Sequence, residues 1–335
     1  MRQTMQKYNA RRFAGAMILG ATGLIGLIGS DSALAQASDY PNRPIKWVVA
    51  YPPGGTTDVL ARIVAQYLTE HLKQQVVVEN KPGGGNNIGT EYVINAPADG
   101  YTMLLVNPAN GINASLYKKL PFNFIRDIAP VAGIVRTPNV MVVTNSLPAK
   151  NIQEFLAYCK ANPGKVNMAS SGSGTSTHLS GELFKSMTGC DMVHVPYKGA
   201  GPALTDLMGG QVQVFFDNLP SSAGHIKNER IRALGVTSDG REPSLPNVPT
   251  VGDTVKGYEA TAWFGIGMPK GTPQAAIDRI NAEVNKALAD PKMRERLAEL
   301  GGVPIPGTPA DFGKVIQSET DKWAKVVKDS GATLD

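Results

Sequence analysis

Four short segments hold most of the residues with which this sequence could do chemistry: "PPGGTTD" (52–58), "KPGGGNNIGT" (81–90), "SSGSGTSTH" (170–178) and "YKGAGPA" (197–203). All are rich in glycine, small hydroxyls and amides, and between them they carry two cations, Lys81 and Lys198. Glycine lets backbone N–H groups approach an anion, while Ser, Thr and Asn add neutral donors. Ordinary βα turns with Thr57 or Asp58 and Ser176 as helix caps would use the same residue types. Four such loops in one chain point instead to the gripping of a carboxylate, with helix N-termini supplying partial positive charge.

Catalytic signatures fail one by one. "PPGGTTD" lacks the G-x-x-x-x-G-K-[ST] of a P-loop, and "GGGNNIG" read from Gly83 puts Ile88 where a dinucleotide turn needs its last glycine. "SSGSGTS" contains no G-x-S-x-G elbow. The histidines His71, His178, His194 and His225 are scattered, and His178 with Glu182 offers only two ligands on one helix face, so no metal site or cofactor is called for. His178 fits a cleft donor at a helix start, His194 a satisfied core residue in a strand, and His71 and His225 the surface. Asp58 reads as a cap, and Asp217 as a group that orients donors beyond a strand end.

These loops need a scaffold that brings them together. Strands are expected at 45–51, 76–80, 101–106, 166–170, 192–195 and 212–216, and helices at 58–73, 87–95, 151–161, 176–188 and 201–208, each helix following or preceding a short apolar strand. That alternation predicts an α/β fold of two lobes, each a small, mostly parallel sheet flanked by helices. Two extended runs, 133–145 and 260–269, are candidate crossings between lobes. Helices over 273–289, 291–299 and 310–329 would then return to the first lobe. Residues 36–140 with 264–335 are expected to form one lobe and 141–263 the other, with the cleft at the carboxyl ends of the strands.

The chain start sets the compartment. Arg2, Lys7, Arg11 and Arg12 precede an apolar run, Phe13–Gly29, and "ALA" at 33–35, the pattern of a cleaved secretory signal over residues 1–35. The run is shorter than the ~20 residues of a spanning helix, and Arg11-Arg12 before Phe13 resembles a twin-arginine signal. Cleavage near Ala35 leaves 29 basic against 27 acidic side chains, so nucleic-acid binding loses its electrostatic support. An exported chain with two cysteines, Cys159 and Cys190, would either bridge them or bury both as thiols.

"YPPGGTTDVLAR", "VVVENKPGGGNNIGT", "PADGYTMLL", "MASSGSGTSTHLSGELFK", "VHVPYKGAGPALTDLMGGQV" and "FFDN", in this order, resemble the signature blocks of periplasmic solute-binding proteins of the tripartite tricarboxylate transporter system, the Bug receptors. The resemblance runs from residue 42 to about 330. It implies a type II periplasmic-binding-protein fold that captures an organic acid and delivers it to a permease of one large and one small integral membrane subunit. It also places Gly54, Gly55, Thr56, Thr57, Ser171, Thr175 and Asp217 at the ligand. Asn86, Asn107 and His178 join them by loop position. Tyr51, Tyr197, Phe216 and Trp263 are aromatic candidates for the walls, with core packing the competing role for Phe216. The ligand expected is a mono- or dicarboxylate, aromatic acids included, bound by a monomeric periplasmic receptor. An accessory protein of a sensor kinase, or an exported hydrolase built on Ser171 or His178, are the competing readings.

Overall fold

The computed structural model describes residues 40–330 and 333–334. The expected signal, residues 1–35, lies outside them. β1 (Ile45–Val49), α1 (Thr56–Leu72), β2 (Val76–Asn80), α2 (Asn87–Ile94), β3 (Thr102–Val106), α3 (Pro108–Leu116) and a short α4 (Phe124–Asp127) lead into β4 (Ile128–Val143). Then come α5 (Ile152–Ala161), β5 (Val166–Ser170), α6 (Ser176–Thr188), β6 (Met192–Pro196), α7 (Ala200–Met208), β7 (Val214–Asn218), α8 (Leu219–Lys227) and β8 (Arg232–Val236). After α9 (Val251–Thr254) the chain forms β9 (Thr261–Pro269), α10 (Gln274–Ala289), α11 (Pro291–Glu299), β10 (Val303–Pro304) and α12 (Pro309–Ser330).

The helices form where apolar residues recur on one face. In α1, Leu60, Val64, Leu68 and Leu72 fall at four-residue intervals and are all buried, while Lys73 in the left-handed region ends the helix. The βα repeats pair in parallel, β1 with β2 and β3, and β5 with β6 and β7. Antiparallel pairing enters with β9 and with the 16-residue β4. β4 belongs to both sheets. Up to Pro138 it pairs with β9, and from Asn139 it pairs with β7. Fully buried Asn139 marks the switch, donating to Ser180 at 2.8 Å and accepting from Asn218.

Each sheet has its own core. Trp47, Val49, Leu60, Phe264 and Ile280 pack in the first, where α10 returns to α1 and β4. Met168, Phe155, Phe184, Phe216 and Tyr258 pack in the second. The last helix serves both: Phe312 and Ile316 pack with Val48 and Trp263, whereas Trp323 and Val327 join the second core together with Ile112 and Leu116 of α3. A disulfide joins Cys159, in the last turn of α5, to Cys190 just before β6, with Cα atoms 5.7 Å apart.

Six elements go beyond the sequence expectation: α3, α4, α8, β8, α9 and β10. "PANGINASL" and "LPSSAGHIK" carry Pro, Gly and polar residues that read as turns. Proline at the helix start costs nothing, because that N–H has no intrahelical partner. In α3 a reciprocal cap between Asn107 and Asn110 completes the first turn.

Candidate functional site

The turn after β1 is shaped from within. The residue preceding α1 is Gly55, which has no side chain to cap the helix. Asp58, inside the first turn, takes over: its carboxylate accepts the Gly54 N–H, Arg62 Nε and Asn80 Nδ2, each at 3.0 Å. Burial on its own raises the Asp58 pKa. The hydrogen bonds from Arg62, Gly54 and Asn80 outweigh that and hold the carboxyl below its ordinary value. The expectation that Asp58 holds the turn in shape is met, although through the Gly54 N–H rather than as the residue at the cap position. Thr56 and Thr57 are left as the first helical residues, whose N–H groups have no acceptor inside the helix.

The turn after β5 is organised in the opposite way. Thr175 caps α6 by accepting the His178 N–H, and its own hydroxyl donates to the Gly172 carbonyl at 2.7 Å. Thr177 accepts the Ser171 N–H at 2.9 Å and shares a hydrogen bond with Thr175 at 2.8 Å. Since each hydroxyl has one hydrogen, Thr175 and Thr177 have both spent theirs inside the loop.

Between the two turns lies a cavity of about 30 Å³ lined from both lobes. Tyr51, Gly55, Thr56 and Thr57 face Ser171, Thr175 and Asn218 across it, with Asn107 at the start of α3 and Phe264 of β9 closing the walls. None of its lining residues is charged. Asn107 Nδ2 is buried with no acceptor. The lobes meet at the rim, where the Thr56 hydroxyl donates to Ser221 Oγ at 3.2 Å. A side chain at Gly85, in the left-handed region at φ 60°, would stand 3.0 Å from the Ser173 carbonyl opposite, so glycine there lets the loops approach.

Behind this lining sit the titratable groups. Asp217 is fully buried and accepts the Ser221 and Ser222 hydroxyls at 2.5 and 2.6 Å, while its other oxygen has no donor. Burial pushes its pKa up to about 6 against the pull of those hydrogen bonds. His178 and His194 stack with ring centres 3.9 Å apart beneath the 170–178 loop. Burial lowers His178 to about 4, with the Lys185 charge adding to the effect, and lowers His194 to about 3, where the neighbouring His178 ring adds to it. His178 accepts the Gly174 N–H at 3.3 Å, and His194 meets Ser170 at 2.7 Å. Ser170 is fully buried, and a histidine that titrates near 3 is a poor base at neutral pH. The pair therefore holds the loop rather than presenting a nucleophile to the cleft. Among the described residues no group of three metal-ligating side chains comes together, and no helix is long and apolar enough to cross a membrane.

Comparison with known proteins identifies this architecture. A family model described as the tripartite tricarboxylate transporter family receptor matches residues 60–332. The chain belongs to this family. It is 37% identical over 322 residues to protein BugT of Bordetella pertussis, spanning 95% of this chain and 98% of that one. Among solved structures, R. palustris Rpa4515 with adipate superposes with a TM-score of 0.87 at 38% identity, covering 88% of this chain and 100% of the other. MatC from Rhodopseudomonas palustris with bound malate gives 0.82 at 29% identity, covering 86% and 100%. The two-lobed fold is thus that of the periplasmic solute-binding receptors of the Bug type.

Seven of the residues singled out in the receptor's sequence line the cavity: Tyr51, Gly55, Thr56, Thr57, Asn107, Ser171 and Thr175. Four do not. Gly54 serves the turn through its N–H, Asn86 lines a neighbouring chamber, and His178 and Asp217 lie behind the lining. Of the aromatic wall candidates, Phe216 and Trp263 are core residues away from the cavity, while the next residue, Phe264, is both part of the first core and at the cavity wall. Asn218 and Ser221 went unnoticed in the sequence. The signal was present in "FDNLPSS", where polar residues follow a strand end directly, but recognising it needed α8, a helix that the sequence pattern hides.

Proposed function

We propose that this receptor captures a small organic acid by a carboxylate in the cavity between its lobes and delivers it to an integral membrane permease. One observation carries the reading: an uncapped helix N-terminus at Thr56–Thr57 faces a cavity lined by neutral donors from both lobes and by no charged residue. Such an N-terminus carries about half a positive charge, and its free N–H groups suit an anion. The bound adipate and malate of the two related receptors support the same chemistry.

Capture works by closure. We take 36–140 with 264–335 as the first lobe and 141–263 as the second, hinging where β4 changes partner, with α12 lying across both. A carboxylate docks on the 54–57 turn, and the second lobe closes through the Thr56–Ser221 contact. Closure is favoured by what the ligand gains in the closed form over the open one. The chain is exported by its first 35 residues, cleaved near Ala35, and acts as a monomer.

A thermal-shift and calorimetric screen of mono-, di- and tricarboxylates beside neutral amides tests the reading. Carboxylates are expected to bind at micromolar or better, about −8 kcal/mol. Thr57→Val should weaken them more than tenfold with the melting temperature within a few degrees. Stabilisation by neutral compounds alone would overturn the reading.

A further inference from the structure

Between α3 and Tyr51 runs a buried chain of side chains whose hydrogens can point in only one direction. The backbone sets that direction. Asn110 Oδ1 accepts the Asn107 N–H at 2.9 Å, and because a backbone N–H can only donate, the Asn110 amide is fixed with Nδ2 on its other side. That Nδ2 donates to Thr90 Oγ1 at 2.9 Å. The single Thr90 hydrogen must then go elsewhere, and it goes to Asn86 Oδ1, also at 2.9 Å. This holds the Asn86 amide with Nδ2 toward the Tyr51 hydroxyl, to which it donates. Tyr51 Oη, in accepting, keeps its own hydrogen free, and among the described residues no acceptor stands within hydrogen-bond distance of it.

The other end is oriented by the same rule. Asn107 Oδ1 accepts the Ala109 N–H at 3.0 Å, which leaves Asn107 Nδ2 buried and without an acceptor. Tyr51 and Asn107 both line the inner cavity, whereas Asn86, Thr90 and Asn110 stand behind it. Asn86 and Thr90 are each 1% exposed, so water does not replace a lost link. Asn86 is also held at φ 91°, a conformation uncommon outside glycine. Burial keeps the Tyr51 hydroxyl above its ordinary pKa, and it is a neutral donor at physiological pH.

We propose that this chain makes the cavity selective for a head group that only accepts hydrogen bonds, by aiming the Tyr51 O–H and the Asn107 N–H at it. Thr90 is its positioning residue: it touches no guest and sets the direction in which the hydrogens point. A carboxylate accepts from both ends. A carboxamide of the same shape must turn its own NH2 toward one of them and leave donor facing donor. The proposal rests on the carboxylate reading of the cavity and adds to it the residues that enforce the choice.

Calorimetry on the mature chain tests this with adipate, hexanoate and benzoate, each beside its own carboxamide. Thr90→Val keeps the shape but removes the hydroxyl, which frees the Asn86 amide to turn and take the Tyr51 hydrogen. It should weaken the acids tenfold or more and move the amides less than threefold, while Thr90→Ser stays within twofold of the unmodified protein for both. Tyr51→Phe should show the same loss, and adding Thr90→Val to it should change acid affinity less than twofold further. Full additivity of the two substitutions, or equal losses for acids and amides, would overturn the relay and leave the cavity's assignment standing. Should Thr90→Val fail to fold, Tyr51→Phe decides alone: an unchanged preference for acid over amide overturns the relay. If no carboxylate binds the unmodified protein, the carboxylate reading itself falls and the relay with it.

Discussion

The two turns that face each other across the cleft, 52–58 and 170–178, are made of nearly the same residues and use them differently. In the first, the helix cap position is a glycine and the shaping is done by Asp58 from inside the helix, so that Thr57 and the first N–H groups face the cavity uncommitted. In the second, Thr175 and Thr177 close the loop on itself, and a stacked histidine pair supports it from below. Glycine, serine and threonine advertise donors in both places. Which donors remain for a guest depends on where each single hydroxyl hydrogen already points.

Substitutions in the two turns should therefore separate binding from stability. The largest effect is expected from acid. His178 is held neutral, with its pKa lowered from 6.5 to about 4, so its contribution to stability is complete above pH 6.5 and is lost as pH falls toward 4. For one group this amounts to about 3 kcal/mol at 1.36 kcal/mol per pKa unit. Asp217, raised to about 6, works in the opposite sense, favouring the fold as pH drops through that value. It is common to both proteins when the wild type is compared with His178→Phe. Between pH 7 and 4 the wild type should lose about 3 kcal/mol more than this variant in urea titrations; parallel pH profiles would show that the second turn does not lean on the histidine.

Asp58→Ala comes next. It strips the acceptor from the Gly54 N–H and from Asn80 at a site only 4% exposed, and should cost about 2–3 kcal/mol of stability and most of the ligand affinity together. Thr175→Val should cost about 1–2 kcal/mol by loss of the α6 cap while moving affinity less than threefold. That outcome is the reverse of the one expected for Thr57→Val. Should Thr175→Val weaken binding as much, the contrast between the turns would be broken. The smallest effect belongs to the contact between them. Ser221→Ala, with about 0.5–1.5 kcal/mol at stake, should speed ligand release several-fold by stopped flow, and adding Thr56→Val should change the rate little further.

Much of this site could be read from the chain because it depends on local physics. Apolar periodicity fixed α1, α6 and α10 to within two residues, and glycine-rich segments after strands marked the loops that converge. What could not be read is instructive. His178 looked like a cleft donor because it stands at a glycine-rich helix start; only the ring of His194, from a strand sixteen residues further on, takes it out of the cleft. Trp263 and Phe264 are buried neighbours of similar character, and alternation along β9 sends Trp263 to one face of the sheet beside Phe312 and Phe264 to the core on the other face, where it also borders the cavity. α3 and α8 escaped notice because their stability comes from caps and from packing on other elements rather than from propensity.

The sequence by itself determined the two-lobed α/β architecture, the family and the kind of group the loops could hold, because each of these follows from short-range periodicity, backbone freedom and motif order. The tertiary structure decided which donors stay free, that Ser221 joins Thr56 to Asp217 across the cleft, and that Lys81 is neutralised by Glu79. Those outcomes depend on single hydrogens and on contacts between residues far apart in the chain, and such contacts exist only once the sheets have folded and β4 has carried the chain from one to the other.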